Sequence, residues 1–200
     1  MAVDRLASAL AAIDAANADD PNTIDIDGER RPKELAHAEL MTHWLVRLDP
    51  AADDAQRLAA RAHHLRRWSM PRATYPEGRA GYLRWRTALR RQHATEVGEI
   101  LLAAGYDAPV VERVQAIIRK DGLGTDPQVQ THEDALCLVF LETQLTAIVD
   151  RLGPEKMLGV IAKTAAKMSP KGLVHVADLP LRAADRALVE QALQAGTGGI

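Results

Sequence analysis

The sequence predicts an all-α protein, a single compact multi-helix domain, and three observations predict it. Apolar residues fill 47% of the 200 positions while aromatics fill only 4%, so Ala and Leu must pack the core. Apolar side chains recur at helical spacing, as in Val3, Leu6, Leu10 and Ile13. Prolines and glycines divide the chain into stretches of helix length, with no convincing strand, repeat or low-complexity segment between them.

Residues 2–17 form the first helix, ended by Asp19-Asp20-Pro21-Asn22, and Thr23 to Arg31 reads as a loop. Pro32 opens a second helix through Leu48, with Leu35, Met41 and Leu45 on its apolar side. Asp49-Pro50 caps a third that runs to Trp68. Ser69 to Gly81 is irregular, and a long fourth helix follows from Gly81 to Ala104. Asp107 starts a fifth that ends near Lys120; Asp126-Pro127 starts a sixth, apolar all round from Ala135 to Leu141 and therefore the buried central helix. Gly153-Pro154, Ser169-Pro170 and Leu179-Pro180 punctuate three shorter helices, and the tail from Ala195 to Ile200 is expected to fray. The expected organisation is an N-terminal helix and acidic loop (1–30), a helical core (31–178), and a C-terminal helix and tail (179–200).

One cysteine, Cys137, excludes a disulfide framework and fits a reducing compartment. No apolar run approaches the ~18 to 20 residues of a membrane span, and residues 1–15 lack the apolar core of a signal peptide. A cytoplasmic location is the expectation, with no membrane partner.

The formal net charge is only −2, yet Arg61 to Gln92 holds nine arginines, one acidic residue (Glu77) and four of the seven aromatics. Such a segment asks for an anionic partner. Arg66-Arg67-Trp68, Arg72 in its proline-bounded loop, and Tyr75, Tyr82 and Arg86 supply guanidinium groups that grip phosphate and rings that stack. Arg84, Arg90 and Arg91 read as a solvated helix face. No G-x-x-x-x-G-K loop, G-x-S-x-G elbow or paired C-x-x-C is present.

Histidines flank this segment. On a helix, His63 and His64 point about 100° apart, so only one of them faces any given site. Glu34 and His37, three apart, share a helix face and can converge on one ion. Glu133-Asp134 lies at the edge of the most apolar helix, where a carboxylate needs a cation, a metal or a salt bridge to an arginine. His93 stands just past the arginine run.

The strings A-R-A-H-H-L-R-R-W-S-M-P-R-A-T-Y-P, G-Y-L-R-W-R-T-A-L, E-D-A-L-C-L-V-F-L-E and K-T-A-A-K-M-S-P-K-G resemble the family known as domain of unknown function 4202, from about Glu34 to Gly172. That family carries no established activity. Its pattern has Gln at the position of His63, which points to His64 as the meaningful member of the pair. A remoter resemblance is to the HD-domain metal-dependent phosphohydrolases, implying an HD-like helical core. L-A-A-R-A-H-H-L is similar to their L-A-A-L-L-H-D-I, with His64 in place of the aspartate; H-A-T-E-V-G-E-I-L-L-A-A-G-Y resembles the segment of an auxiliary histidine, here His93. E-D-A-L resembles their A-D-A-L, making Asp134 the last ligand, and Glu34 or His37 falls at the first.

The resemblance implies a site for one divalent ion (Mn, Fe, Ni or Zn) held by His64, Asp134 and Glu34 or His37, with His93 beside them. Arg66, Arg67, Arg72 and Lys120 would neutralise charge on a phosphoryl group, and Trp68 or Tyr75 would stack on a base. The expected function is hydrolysis of a nucleotide or small phosphate ester. The alternative is a non-catalytic module binding RNA or a phosphorylated ligand through 61–92; a third reading pairs the arginines with acidic groups of neighbouring helices.

Overall fold

The structure, a computed structural model, describes residues 4–26 and 28–197. Among these are ten α-helices: α1 (Arg5–Ala18), α2 (Lys33–Leu48), α3 (Asp54–Arg61), α4 (Gly78–Ala103), α5 (Ala108–Arg119), α6 (Pro127–Thr143), α7 (Leu145–Leu152), α8 (Pro154–Ala165), α9 (Pro170–Val174) and α10 (Ala183–Thr197). All-α is the class. The chain groups into two compact units, Met1–Val129 and Gln130–Ile200, with the boundary inside the first turn of α6.

In the first unit α3 packs on α1, α2 and α5, and α4 lies along α5. Ile13, Leu58, Leu65, Val97, Leu101, Val114 and Ile117 are wholly buried there. Each such side chain contributes roughly 1.5–3 kcal/mol by leaving water. Where α4 meets α5, a Cβ at Gly98 would sit 2.4 Å from Nε2 of Gln115, so a side chain there would displace the bond that Gln115 donates to the Ala94 carbonyl at 2.8 Å.

Thr23 to Arg31, expected to be a loop, contains a small antiparallel hairpin, β1 (Thr23–Ile26) and β2 (Glu29–Pro32), pairing Thr23 with Pro32 and Ile26 with Glu29. Its chemistry was present in the sequence as Asp27-Gly28, a dipeptide favoured in two-residue hairpin loops. The hairpin delivers the chain to α2, where the Lys33 N–H donates to the Asn22 carbonyl at 3.0 Å. The third helix is also shorter than expected. It starts at a capping box between Asp53 and Gln56 and stops at Arg61, so His63 and His64 stand in a turn and not on a helix.

In the second unit α8 packs against α7 and α10, over buried Leu145, Met157, Ile161, Leu179, Val189 and Ala192. Ala135, Cys137, Leu138, Val139 and Leu141 of α6 are buried as its apolar run predicts, with Leu136 and Phe140 half-buried. Of the expected tail, residues 195–197 belong to α10 and 198–200 lie outside the described residues.

Candidate metal centre

The turn after α3 organises the site. In the last turn of α1 stands Asn17, wholly buried, whose Oδ1 accepts from the Arg66 N–H at 3.1 Å. Arg66 takes a left-handed conformation (φ 48°), and Leu65 beside it is fully buried. This reversal sets the rings of His63 and His64 side by side, with centroids 4.2 Å apart. The 100° separation expected of helical neighbours therefore does not apply.

Glu34 meets them from the first turn of α2. Its own N–H donates to Oδ2 of Asp20 at 3.0 Å, and Oδ1 of that buried aspartate accepts from the backbone and side chain of Asn22, both at 2.9 Å. Oε2 of Glu34 lies 3.1 Å from Nδ1 of His64 and 3.4 Å from Nδ1 of His37. Among the described residues, Glu34, His37 and His64 form a group whose ligand-type atoms all lie within 4.8 Å of one another. Metal–ligand bonds of about 2.0–2.2 Å place neighbouring donors roughly 3.0–3.5 Å apart, which the two Glu34 distances match.

Exposure gives this cluster a direction. The side chains of Glu34 and His37 are only 5% and 4% exposed, whereas His64 keeps 21% and Arg67 31%. Solvent and any ligand arrive on the His64–Arg67 side. Arg67 places Nε 3.8 Å from Oε1 of Glu34 and its guanidinium over the Trp85 ring, 4.8 Å from the centroid. Trp85 is buried and held by an Nε1–H bond to the Met70 carbonyl at 3.0 Å.

The charge states follow from burial. Desolvation would raise the Glu34 carboxyl, but the two imidazoles opposite outweigh it and hold it well below the usual carboxylate range. Desolvation pushes His64 down to about 4, against the pull of Glu34, with Arg67 adding to the depression. His93 goes down to about 3, through burial first and then the proximity of His64. His93, 5.9 Å from His64 ring to ring, sets Nδ1 2.8 Å from the Leu65 carbonyl. A carbonyl only accepts, so Nδ1 carries the hydrogen and Nε2 is a bare lone pair. That Nε2 is buried with no protein partner.

The other residues singled out in the sequence fall as follows. Asp134 is in the second unit, 2% exposed, and its carboxylate accepts from the N–H of Ser169 (2.8 Å), from the Ser169 hydroxyl and from Nε2 of Gln130 (3.0 Å). Gly172 presses on it so closely that a Cβ would sit 2.6 Å from its Cγ. Arg72 donates to the carbonyls of Tyr75 and Pro76 at 2.8 and 2.9 Å and so fastens the loop before α4. Arg66 is exposed; Trp68 and Tyr75 are half-buried, and the Tyr75 hydroxyl faces the Met70 sulfur. Lys120 caps α5 in a left-handed conformation (φ 65°). Tyr82 is 41% exposed, and Arg86 donates to its hydroxyl at 3.1 Å. Sequence reasoning passed over Asn17, Asp20 and Leu65, which position the site by backbone contacts; Asp20 carried a signal only as part of the helix-ending Asp-Asp-Pro-Asn.

A helical chain with this His-Glu cluster belongs to the family described as domain of unknown function (DUF4202), whose pattern matches residues 7–189. No curated protein matches the chain, and no solved structure does. No helix among the described residues is long and apolar enough to cross a membrane.

Proposed function

We propose that the first unit holds one divalent ion on Glu34, His37 and His64 and hydrolyses a phosphate monoester beside it. The observation that carries this reading is the convergence of two imidazoles on one buried carboxylate oxygen, at 3.1 and 3.4 Å, with a guanidinium next to it. Two nitrogens and one oxygen suit Zn, Fe, Ni or Mn better than Mg or Ca. The same donors serve zinc hydrolases and iron(II) oxygenases; the neighbouring Arg67 favours an anionic substrate and hence hydrolysis.

A divalent ion in such a site polarises a phosphoryl oxygen and acidifies a water. Arg67 neutralises charge on the phosphoryl group, and its stacking on the fixed Trp85 ring holds it in place. His93 offers its Nε2 lone pair to the attacking water. Water adds to phosphorus and gives a proton to that lone pair, the ester P–O bond breaks, and the alcohol leaves with the same proton. The buried Cys137 thiol, which donates to the Thr164 carbonyl, is compatible with a reducing cytoplasmic setting.

Elemental analysis of protein purified without chelator tests the reading. About one ion per chain is expected, lost in Glu34→Gln and His64→Ala, with phosphate release from monoesters lost alongside. A protein free of transition metal, whose melting point no added Mn, Fe, Ni or Zn raises, would sink the proposal.

A further inference from the structure

Beyond the metal cluster, Arg67 lies over the Trp85 ring and Arg86, the next residue on α4, lies by the neighbouring Tyr82 ring, 4.8 and 5.9 Å from the centroids, and the charge of Arg86 adds to the depression of Arg67 that burial causes. Among the described residues the one carboxylate paired with either is that of Glu34. Arg67 has Glu34, whose other oxygen is already engaged by two imidazoles, and Arg86 donates to the Tyr82 hydroxyl. Two guanidinium groups with a single carboxylate, paired with Arg67, make a place for an anion. Tyr82, Trp85 and Arg86 stand three and four apart on α4 and so share one face. From Glu34 outward that face presents Arg67 on Trp85, then Tyr82 5.9 Å from Trp85, with the Arg86 guanidinium 5.9 Å from the Tyr82 ring. Trp85 is buried, but Tyr82 is 41% exposed and lies between Trp85 and Arg86.

We propose that Arg67 and Arg86 grip the phosphate of a phosphomonoester while Tyr82 stacks on its planar ring, so that the substrate class is phosphomonoesters of flat aromatic or heteroaromatic groups, nucleoside 5′-monophosphates among them. The hydrolysis of such a ligand rests on the metal reading above, whereas its grip by α4 and Arg67 does not. The arrangement also gives the two parts of the ligand separate owners: the arginines read the phosphate, and Tyr82 reads the ring.

The test uses the full chain in EDTA, where turnover cannot consume the ligand, with affinities for adenosine 5′-monophosphate, ribose 5-phosphate and adenosine measured by calorimetry. Because stacking on an aromatic side chain contributes about 1–3 kcal/mol per base, the monophosphate is expected to bind about tenfold or more tightly than ribose 5-phosphate. Tyr82→Leu should erase that advantage and leave ribose 5-phosphate unchanged. Arg86→Gln should weaken both phosphorylated ligands alike; circular dichroism melts check that both variants are folded. Equal affinity for the two phosphates, or a ratio untouched by Tyr82→Leu, overturns the proposal. So does an oligouridylate that binds more tightly than the monophosphate with a steep salt dependence, which would make single-stranded RNA the partner. Loss of the metal reading, read separately from elemental analysis, leaves the ring preference in EDTA intact.

Discussion

A carboxylate taken out of water needs donors or cations, and Glu34 and Asp134 meet that need differently. Glu34 faces two imidazoles that can exchange a proton for an ion. Asp134 has three donors in hand, two from Ser169 and one from Gln130, and so ties the start of α9 to α6. Asp134→Ala strands the Ser169 N–H and hydroxyl and should cost about 1–3 kcal/mol. Gly172→Ala should destabilise in the same direction, because its methyl would fall 2.6 Å from the Asp134 Cγ. Denaturant titration checks both variants. Elemental analysis of Asp134→Ala then asks whether a carboxylate so fully engaged also ligates; unchanged ion content is expected, and loss of the ion would make Asp134 a ligand after all.

Helix ends carry the next set of consequences. Asp4, Asp53, Asp107 and Ser169 each accept from a backbone N–H in the first turn of the helix that follows, and two of those starts, Asp107 before Ala-Pro and Ser169 before Pro, were read in the sequence. Asp53 does more than cap: it shares a box with Gln56 and also accepts from Gln128 Nε2 at 2.8 Å. Asp53→Ala should cost about 1–2 kcal/mol, visible as a lower melting temperature, since α3 leads directly into the histidine turn. An unchanged melt would show that the cap is dispensable to α3. The start of α3 was misplaced in the sequence because Asp49-Pro50 looks like a cap, while Asp49 spends its carboxylate on the Ala51 N–H and on Gln56. The proline and glycine boundaries from α5 to α9 were legible because each breaks the backbone hydrogen-bond ladder locally. The hairpin was not, for only β1 alternates, with Ile24 and Ile26 on one face, over four residues, while β2 is Glu-Arg-Arg-Pro, without an apolar pattern and with Glu29 and Arg30 exposed. For the site, the Glu34–His37 spacing was legible from helix geometry alone. The arrival of His64 was implied only by the remoter family resemblance and not by helix geometry, because it depends on Asn17, far away in the chain, bonding to a backbone N–H in the left-handed turn.

Over the whole molecule the arginine-rich segment proves to be two kinds of charge. Much of it is structural: Arg61 pairs with Asp14, Nη2 to Oδ2 2.7 Å, Arg72 binds loop carbonyls, and Arg90 reaches the Arg119 carbonyl. Arg67 and Arg86 lie instead against aromatic rings, Arg67 over Trp85 and Arg86 by Tyr82, with Arg67 also 3.8 Å from Glu34 of the histidine cluster. Those histidines should govern how stability varies with pH. In the ion-free protein His93 and His64 have pKa values lowered to about 3 and about 4, while in the unfolded chain both titrate near 6.5. Between these limits the unfolded state binds more protons, so stability is full above about pH 7 and falls as pH drops through 6.5. From pH 7.5 to pH 5 the loss is about 2 kcal/mol for each imidazole that stays neutral when folded. Glu34, held low, adds its own loss only below about pH 4.5, where the unfolded carboxyl begins to protonate. Thermal melts in EDTA at pH 7.5, 6 and 5 should show the midpoint falling across that window. His93→Phe should flatten the slope by about one proton's worth, even though the variant starts from a lower midpoint. A slope that the substitution leaves untouched would mean that His93 is protonated in the folded protein, and its Nε2 would then be a donor with no lone pair to give to water.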